Sequence, residues 1–155
     1  MSKDVFENKL EKLGFELPLV PAPQGSYVPF VISGGHVYLS GALPVVDGQL
    51  VHCGIVGGDI NIEHAREASQ ICILNLLANL KVALGTLDRV TQVVRIGGFV
   101  RATPEYSRHP EVINAASDLI VDIFGETGRH ARFAVGVASL PRNSCVEIDA
   151  IIAFE

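Results

Sequence analysis

The segment from Asn61 to Leu84 constrains the fold most strongly, because it predicts one long helix that is apolar on nearly every side over its second half. Asn61 is a favoured helix N-cap, and Glu63 and Glu67 place negative charge in the first turns, where the helix dipole favours it. Apolar side chains then cover nearly the whole circumference: Ile71, Cys72, Ile73, Leu74, Leu76, Leu77, Leu80 and Val82. We expect this helix to be heavily buried.

The rest of the chain predicts five strands and two further helices around this one. Gly34-Gly35 and Asp47-Gly48 mark tight turns, and Gly97-Gly98 marks a bulge or a close approach of backbone. The last two strands flank residues 141–143 and are expected to form a β-hairpin. The predicted helices are 2–13, 61–84 and the segment from Pro110 to Gly125, and the predicted strands are 27–33, 36–40, 88–102, 132–140 and 144–154.

This order of elements predicts an α+β fold, with a mixed sheet and both long helices on one face. A length of 155 residues suits one domain, 1–155, with residues 1–15 as an N-terminal helical extension. The strand 132–140 alternates two kinds of side chain. We expect Phe133, Val135 and Val137 to face the helices, and the small residues with one charge (Arg132, Ala134, Gly136 and Ala138) to face another subunit around a polar site.

Composition and charge exclude several classes of function. Seventeen Asp and Glu against 12 Lys and Arg give a formal net charge of −5, which argues against nucleic acid as a partner. The segment from Leu17 to Val46 carries no charged residue, but its prolines and glycines exclude a membrane helix. We expect this segment to be covered by other parts of the protein, among which another subunit is one candidate. No export signal is visible, so a cytoplasmic location is expected.

Scattered cysteines and histidines predict no metal and no cofactor. Three cysteines without a C-x-x-C pair suggest neither a disulfide framework nor a zinc site. The five histidines lack ligand spacing, and no phosphate loop or dinucleotide fingerprint is present. Cys145 lies two residues before Glu147 on the same strand face, but without a nearby base it is expected to be an inert thiol rather than a nucleophile.

Arg132 and Glu147 are the most informative polar residues, because each is a charge inside a strand of apolar and small residues. Buried charges are paired or serve a ligand, so a structural salt bridge is one interpretation. In a hairpin turning near residue 141, however, the two residues would lie ~13 Å apart. Each charge then has another partner, or a ligand or second subunit brings both into one cleft.

Three groups of residues resemble a known family. The closing run His130-Ala131-Arg132-Phe133-Ala134-Val135, followed by Leu140-Pro141 and by Val146-Glu147-Ile148-Asp149-Ala150, resembles the signature of the YjgF-type reactive intermediate deaminases, also called endoribonuclease L-PSP-like. Gly25-Ser26-Tyr27 and the run from Tyr38 to Pro44 resemble the family's early tyrosine loop and Ser-Gly strand end. The resemblance extends from about residue 20 to the end.

The resemblance implies a homotrimer of chorismate-mutase-like subunits with ligand clefts between neighbouring chains. It implies that Arg132 binds the carboxylate of a 2-imino acid and that Glu147 positions the hydrolytic water, without a metal or cofactor. Tyr27, Gly41 and Asn114 would line the cleft, and the backbone N–H of Ala134 would bind a ligand oxygen. The alternative is a non-catalytic trimer that binds small carboxylates as a regulatory module. The chain departs from the family pattern at His130, Phe133, Ala134 and Ala42.

Overall fold

The computed structural model describes residues 4–20 and 25–155. The predicted helices and long strands are found there, and two short strands are added; the first two residues of the predicted N-terminal helix, Ser2 and Lys3, lie outside the described part. The helices are α1 (Val5–Lys12), α2 (Ile62–Leu84) and α3 (His109–Phe124). The strands are β1 (Phe30–Ser33), β2 (His36–Ala42), β3 (Val45–Val46), β4 (Gln49–Leu50), β5 (Val90–Arg101), β6 (Ala131–Val137) and β7 (Val146–Phe154).

Five strands form one mixed sheet in the order β1-β2-β7-β5-β6, and β3 and β4 form a separate small hairpin. All neighbours are antiparallel except β5 and β6, which are parallel and are joined through α3. The predicted turns are confirmed. Gly34 and Gly35, and then Asp47 and Gly48, all have positive φ, as a two-residue turn with the twist of a hairpin requires. The predicted α+β fold is therefore confirmed.

The prediction that the last two strands form a hairpin is wrong, because β5 lies between β6 and β7. Residues 138–145 make a crossing connection rather than a tight turn, with a short 3-10 turn at Pro141–Asn143. Two strand spacings are only about 10 Å, which a connection of this length spans easily. β5 therefore pairs along both of its edges, with β7 on one side and β6 on the other, as its β-branched residues favour.

Both long helices cover the same face of the sheet, as predicted, but the predicted faces of β6 are reversed. A Cβ atom on Gly98 would lie 2.6 Å from Cγ1 of Ile113 in α3, so Gly98 faces the helices. Ala134 pairs with Gly98, and the same face therefore holds Arg132 and Gly136. Because Gly98, Ala134 and Gly136 are small, α3 can pack close to the sheet.

No helix in the described part of the chain covers the other face of the sheet, here called the open face. Its paired positions include Phe133 beside Gly97 and Val135 beside Phe99. Val31, Tyr38 and Val135 are 53%, 44% and 42% exposed there, which is high for apolar strand residues. Part of the charge-free segment is thus uncovered within one protomer; its residues 21–24 lie outside the described part.

The N-terminal helix α1 is fixed by reciprocal capping. Asp4 accepts hydrogen bonds from Glu7 N in its own helix and from Leu87 N in the turn before β5. Asp88 in turn accepts from the N–H groups of Val5 and Phe6. The buried side chain of Leu10 and a 4.7 Å contact between the rings of Phe6 and Phe124 complete the docking.

No helix within residues 4–20 and 25–155 combines the length and the hydropathy that a membrane crossing requires.

Candidate functional site

Arg132 lies on the edge strand β6, where α3 crosses the sheet. Its Nη1 donates hydrogen bonds to Oδ1 of Asn114 at 2.7 Å and to Oγ of Ser117 at 3.1 Å. Asn114 and Ser117 are three positions apart on α3 and so share one face of the helix. No acidic side chain pairs with Arg132 in the described part of the chain, and the rest of its guanidinium makes no hydrogen bond there. The salt-bridge interpretation is therefore not supported for this residue.

The free edge of β6 adds backbone groups beside Arg132. The Val137 carbonyl accepts a hydrogen bond from Ala102 N, so it points toward β5. By the alternation of a strand, the N–H and C=O groups of Arg132, Ala134 and Gly136 point away from β5, along the outer edge of the sheet. The Ala134 N–H is therefore placed to donate to a molecule lying along this edge.

Ser117 and His130 were not predicted from the sequence, and both belong to the surroundings of Arg132. His130 Nε2 lies 2.9 Å from Ser117 Oγ, and His130 Nδ1 lies 2.6 Å from the Gly128 carbonyl oxygen. An open cleft of about 240 Å³ lies beside them, lined by Ser117, Val121, Arg129, His130 and Arg132. The i, i+3 spacing of Asn114 and Ser117 was the available signal for Ser117.

Glu147 lies at the start of β7 on the open face. It pairs with Phe99, and a Cβ atom on Gly41 would lie 2.5 Å from its Oε1. A bulge between Leu39 and Ala42 brings Gly41 to this position. The carboxylate has no hydrogen bond or ion pair with any described residue. Burial, and secondly repulsion from Asp149, raises the pKa of Glu147 above its ordinary value, which makes it a stronger base.

Tyr27 lies in the loop before β1, and the structure shows no hydrogen bond between Tyr27 and Glu147. The loop that carries Tyr27 is tied to the end of β2, because Ser40 donates from Oγ to the Val28 carbonyl at 2.6 Å and from N to the Pro29 carbonyl at 2.9 Å. Tyr27 is 71% exposed. It is therefore available to a molecule outside the protomer.

The predicted residues thus form two separate groups within one protomer. Arg132, Asn114 and Ala134 lie at the edge of the helix-covered face, whereas Glu147 lies on the open face with Gly41. Glu147 is level with Val135 and two strands away from it, so the Cα atoms of Glu147 and Arg132 are about 14 Å apart. The predicted separation holds, although it arises from the intervening β5 and not from a hairpin.

Phe133 occupies the open face between the two groups. Its ring lies 5.2 Å from that of Phe99 and 5.3 Å from the Arg95 guanidinium, which also pairs with Asp149 at 3.2 Å. A Cβ atom on Gly97 would overlap both Phe133 and Asp149, so the glycine makes room for them. Arg95 thus pairs with Asp149, and no cation among the described residues pairs with Glu147.

The prediction of an inert Cys145 agrees with its surroundings. Cys145 is fully buried, and burial raises the pKa of its thiol to about 12. Burial also raises the pKa of Cys72, and Cys53 is exposed. Across residues 4–20 and 25–155, no three His, Cys, Asp or Glu side chains are grouped so that they could hold a metal ion.

Comparison with known proteins places this geometry in context. A family model described as YjgF/chorismate mutase-like, putative endoribonuclease, matches residues 7–152. Protein TCP17 of Trypanosoma cruzi is 42% identical over 144 residues, covering 92% of this chain and 90% of the relative. A 2-iminobutanoate/2-iminopropanoate deaminase of Dermatophagoides farinae is 32% identical over 139 residues, covering 89% and 93%. The crystal structure of Atu1372 from Agrobacterium tumefaciens, a protein of unknown function, superposes with a TM-score of 0.92 at 46% identity, covering 97% of this chain and 93% of that one.

Proposed function

Because the chain belongs to the YjgF/chorismate mutase-like family, we propose that it hydrolyses 2-imino acids to 2-oxo acids and ammonia at a site shared between protomers of a homotrimer. One observation carries the proposal. Among residues 4–20 and 25–155, the Arg132 guanidinium has no acidic partner and the Glu147 carboxylate has no cation, and the two lie on different faces of the same sheet, about 14 Å apart. The relative named as a 2-imino acid deaminase supports this class of substrate.

Arg132 would bind the substrate carboxylate. A guanidinium presents two parallel donors that match a carboxylate, and Nη1 alone is engaged by Asn114 and Ser117. The outward N–H of Ala134 supplies a further donor along the same edge. A ligand held there lies outside the protomer, where a neighbouring chain can reach it.

Glu147 would activate water. The carboxylate takes one proton from the water as its oxygen bonds to the C=N carbon, and it passes this proton to the nitrogen. It then transfers the remaining hydroxyl proton to the nitrogen as the C–N bond breaks and the C=O bond forms, so that ammonia leaves. The reaction R–C(=NH)–COO⁻ + H₂O → R–C(=O)–COO⁻ + NH₃ balances with water alone. The raised pKa supports this role, because a stronger base takes the proton more readily near neutral pH.

A second copy of the chain is the partner that suits the open face and the free edge. Symmetric homo-oligomers are common, and the exposed Val31, Tyr38 and Val135 form apolar strand surface of the kind that subunits cover. The open face of one copy carries Glu147 with Gly41, and the loop of Tyr27 lies at the same end of β2. Light scattering is expected to give three times the monomer mass.

The activity is tested with 2-iminobutanoate generated in situ by a threonine dehydratase, following the release of 2-oxobutanoate. The protein is expected to accelerate this release over buffer. Arg132→Ala should raise KM on the order of 100-fold, and Glu147→Gln should lower kcat by about 100-fold or more. Lys12→Ala and Glu105→Gln remove an exposed charge of each kind elsewhere and should match the unaltered protein. Full activity of both site variants would refute the assignment.

Mixing the two inactive variants tests whether the site is shared. If Arg132 and Glu147 come from different protomers, a random 1:1 mixture reassembled from unfolded chains contains intact sites, and activity should recover to about a quarter of normal. A site built within one protomer gives no recovery. Each variant refolded alone is the control.

A non-catalytic carboxylate-binding trimer is the second candidate. Arg132 and its partners Asn114 and Ser117 all belong to one protomer, and they could bind a carboxylate without Glu147. Binding of 2-oxobutanoate by calorimetry, without any acceleration of imine hydrolysis, would favour this function.

A further inference from the structure

His130 and Ser117 form a hydrogen-bond chain with a defined direction. The Gly128 carbonyl can only accept, so His130 Nδ1, 2.6 Å away, must carry a proton. With the ring neutral, Nε2 is then an acceptor, and the Ser117 hydroxyl donates to it across 2.9 Å. The Ser117 oxygen in turn accepts from Arg132 Nη1 at 3.1 Å. The chain runs from the guanidinium through the hydroxyl and the imidazole to a backbone carbonyl.

We propose that Ser117 and His130 are positioning residues that hold the guanidinium of Arg132 in the orientation that binds a carboxylate. The inference rests on the proposed function for the identity of the ligand, but not for the contact itself. Asn114 fixes one direction of Nη1 at 2.7 Å, and Ser117 fixes the second. A side chain held at two points has fewer orientations to lose when it binds a ligand.

The direction of these hydrogen bonds also argues against a nucleophilic role for Ser117. A hydroxyl that donates to a histidine resembles the start of a serine hydrolase dyad. Here, however, the oxygen already accepts a hydrogen bond from a cation, which withdraws electron density from the atom that would attack. Ser117 is therefore assigned to Arg132 and not to the substrate. A fluorophosphonate probe should leave it unlabelled, and labelling at Ser117 would overturn this assignment.

Nitrogen NMR tests the chain without any ligand. Long-range ¹H–¹⁵N correlations should show His130 protonated at Nδ1 and unprotonated at Nε2. The Nη–H signals of Arg132 should be resolved in the unaltered protein and averaged by rotation in Ser117→Ala. Ser117→Thr keeps the hydroxyl and should restore resolved signals. The opposite tautomer, or identical Arg132 signals in Ser117→Ala, would overturn the proposal.

Ligand binding then measures what the positioning contributes. Ser117→Ala and His130→Ala should weaken 2-oxobutanoate binding on the order of 5- to 10-fold, the effect of losing one ordinary hydrogen bond. In the imine assay the same change should appear in KM with kcat nearly unchanged. Ser117→Thr keeps the hydroxyl, and His130→Gln keeps one donor and one acceptor, so both should recover most of the affinity. Ser33→Ala removes an exposed hydroxyl at the opposite sheet edge and serves as the matched control.

The two proposals fail in different ways. If the unaltered protein binds no oxo acid, the proposal that Arg132 binds a carboxylate fails. The NMR signals still decide whether the hydrogen bonds through Ser117 and His130 exist and hold the guanidinium. If the unaltered protein binds and Ser117→Ala binds equally well, the positioning proposal fails and the proposed function stands.

Discussion

Replacing Gly98 by alanine should strain the contact between β5 and α3. The added Cβ would lie 2.6, 2.8 and 2.9 Å from three side-chain carbons of Ile113, whereas carbon atoms normally approach to about 3.5–4.0 Å. Gly98 has no positive φ, so the overlap is the source of the strain. Ile113 is fully buried and cannot turn away. Overpacking of this kind costs about 1–3 kcal/mol.

Urea unfolding at one fixed protomer concentration measures this cost, since an oligomer's apparent stability depends on concentration. Gly58→Ala is the matched control. Its Cβ would meet nothing closer than the Ile55 carbonyl oxygen at 3.4 Å, and its φ is not positive, so it should change stability by less than about 0.5 kcal/mol.

A double-mutant cycle isolates the overlap. Ile113→Ala alone should cost about 2–5 kcal/mol because it leaves a cavity in the core. The same change removes the atoms that the new Cβ would meet, so Gly98→Ala should cost almost nothing in that background. The expected coupling is about 1–2 kcal/mol. Additive costs, or a Gly98→Ala variant as stable as the unaltered protein, would refute the idea that close helix approach selects the small residues.

Three further outcomes are expected. Glu147→Gln should raise the free energy of unfolding at pH 7, because burial, followed by repulsion from Asp149, raises the pKa of this carboxyl. A carboxyl of this kind destabilises the folded state as pH rises above its unfolded pKa, so the gain should vanish below pH 4.5; an equal gain at pH 4 and pH 7 would contradict this. Asp4→Ala should cost about 1–2 kcal/mol in urea unfolding, since the start of α1 and the turn before β5 each lose the acceptor of a backbone N–H; an unchanged midpoint would refute the capping. A thiol reagent at pH 8 should label only Cys53 in the native protein, because Cys145 is buried with a pKa of about 12, and fast labelling of a second thiol would count against the buried environment.

Local signals predicted the elements of this fold well. Asn61 does cap α2 through its side chain, which accepts from His64 N, and Gly85 ends the helix in the left-handed region. Gly34-Gly35 forms the predicted turn. These features depend on neighbours a few positions away, so the sequence contains the information needed to predict them.

Strand order and strand faces were not predictable in the same way. Whether β6 pairs with β7 or with β5 depends on contacts between distant segments. The small residues Ala134 and Gly136 suit a subunit contact and a close helix equally, and only the position of α3 decides between them. The prediction of Phe133 beneath the helices failed for this reason.

Two residues of the proposed site could be chosen from the sequence because their charges stand out from their surroundings. Arg132 and Glu147 are conspicuous in apolar strands, and the family signature added Asn114, Gly41 and Tyr27. Ser117 was missed because serine is common in helices, and its relation to Arg132 exists only once α3 lies across β6. Which functional groups meet is decided by tertiary packing and, under the proposal, by assembly.

The reciprocal caps at the N-terminus set an order of events during synthesis. An eight-residue helix such as α1 is too short to persist alone in water. Its capping partner Asp88 lies 83 positions after Val5, so α1 cannot dock until the ribosome has completed α2 and the turn that follows it. Helix α1 is thus among the last elements of this fold to form, although it precedes the others in the sequence.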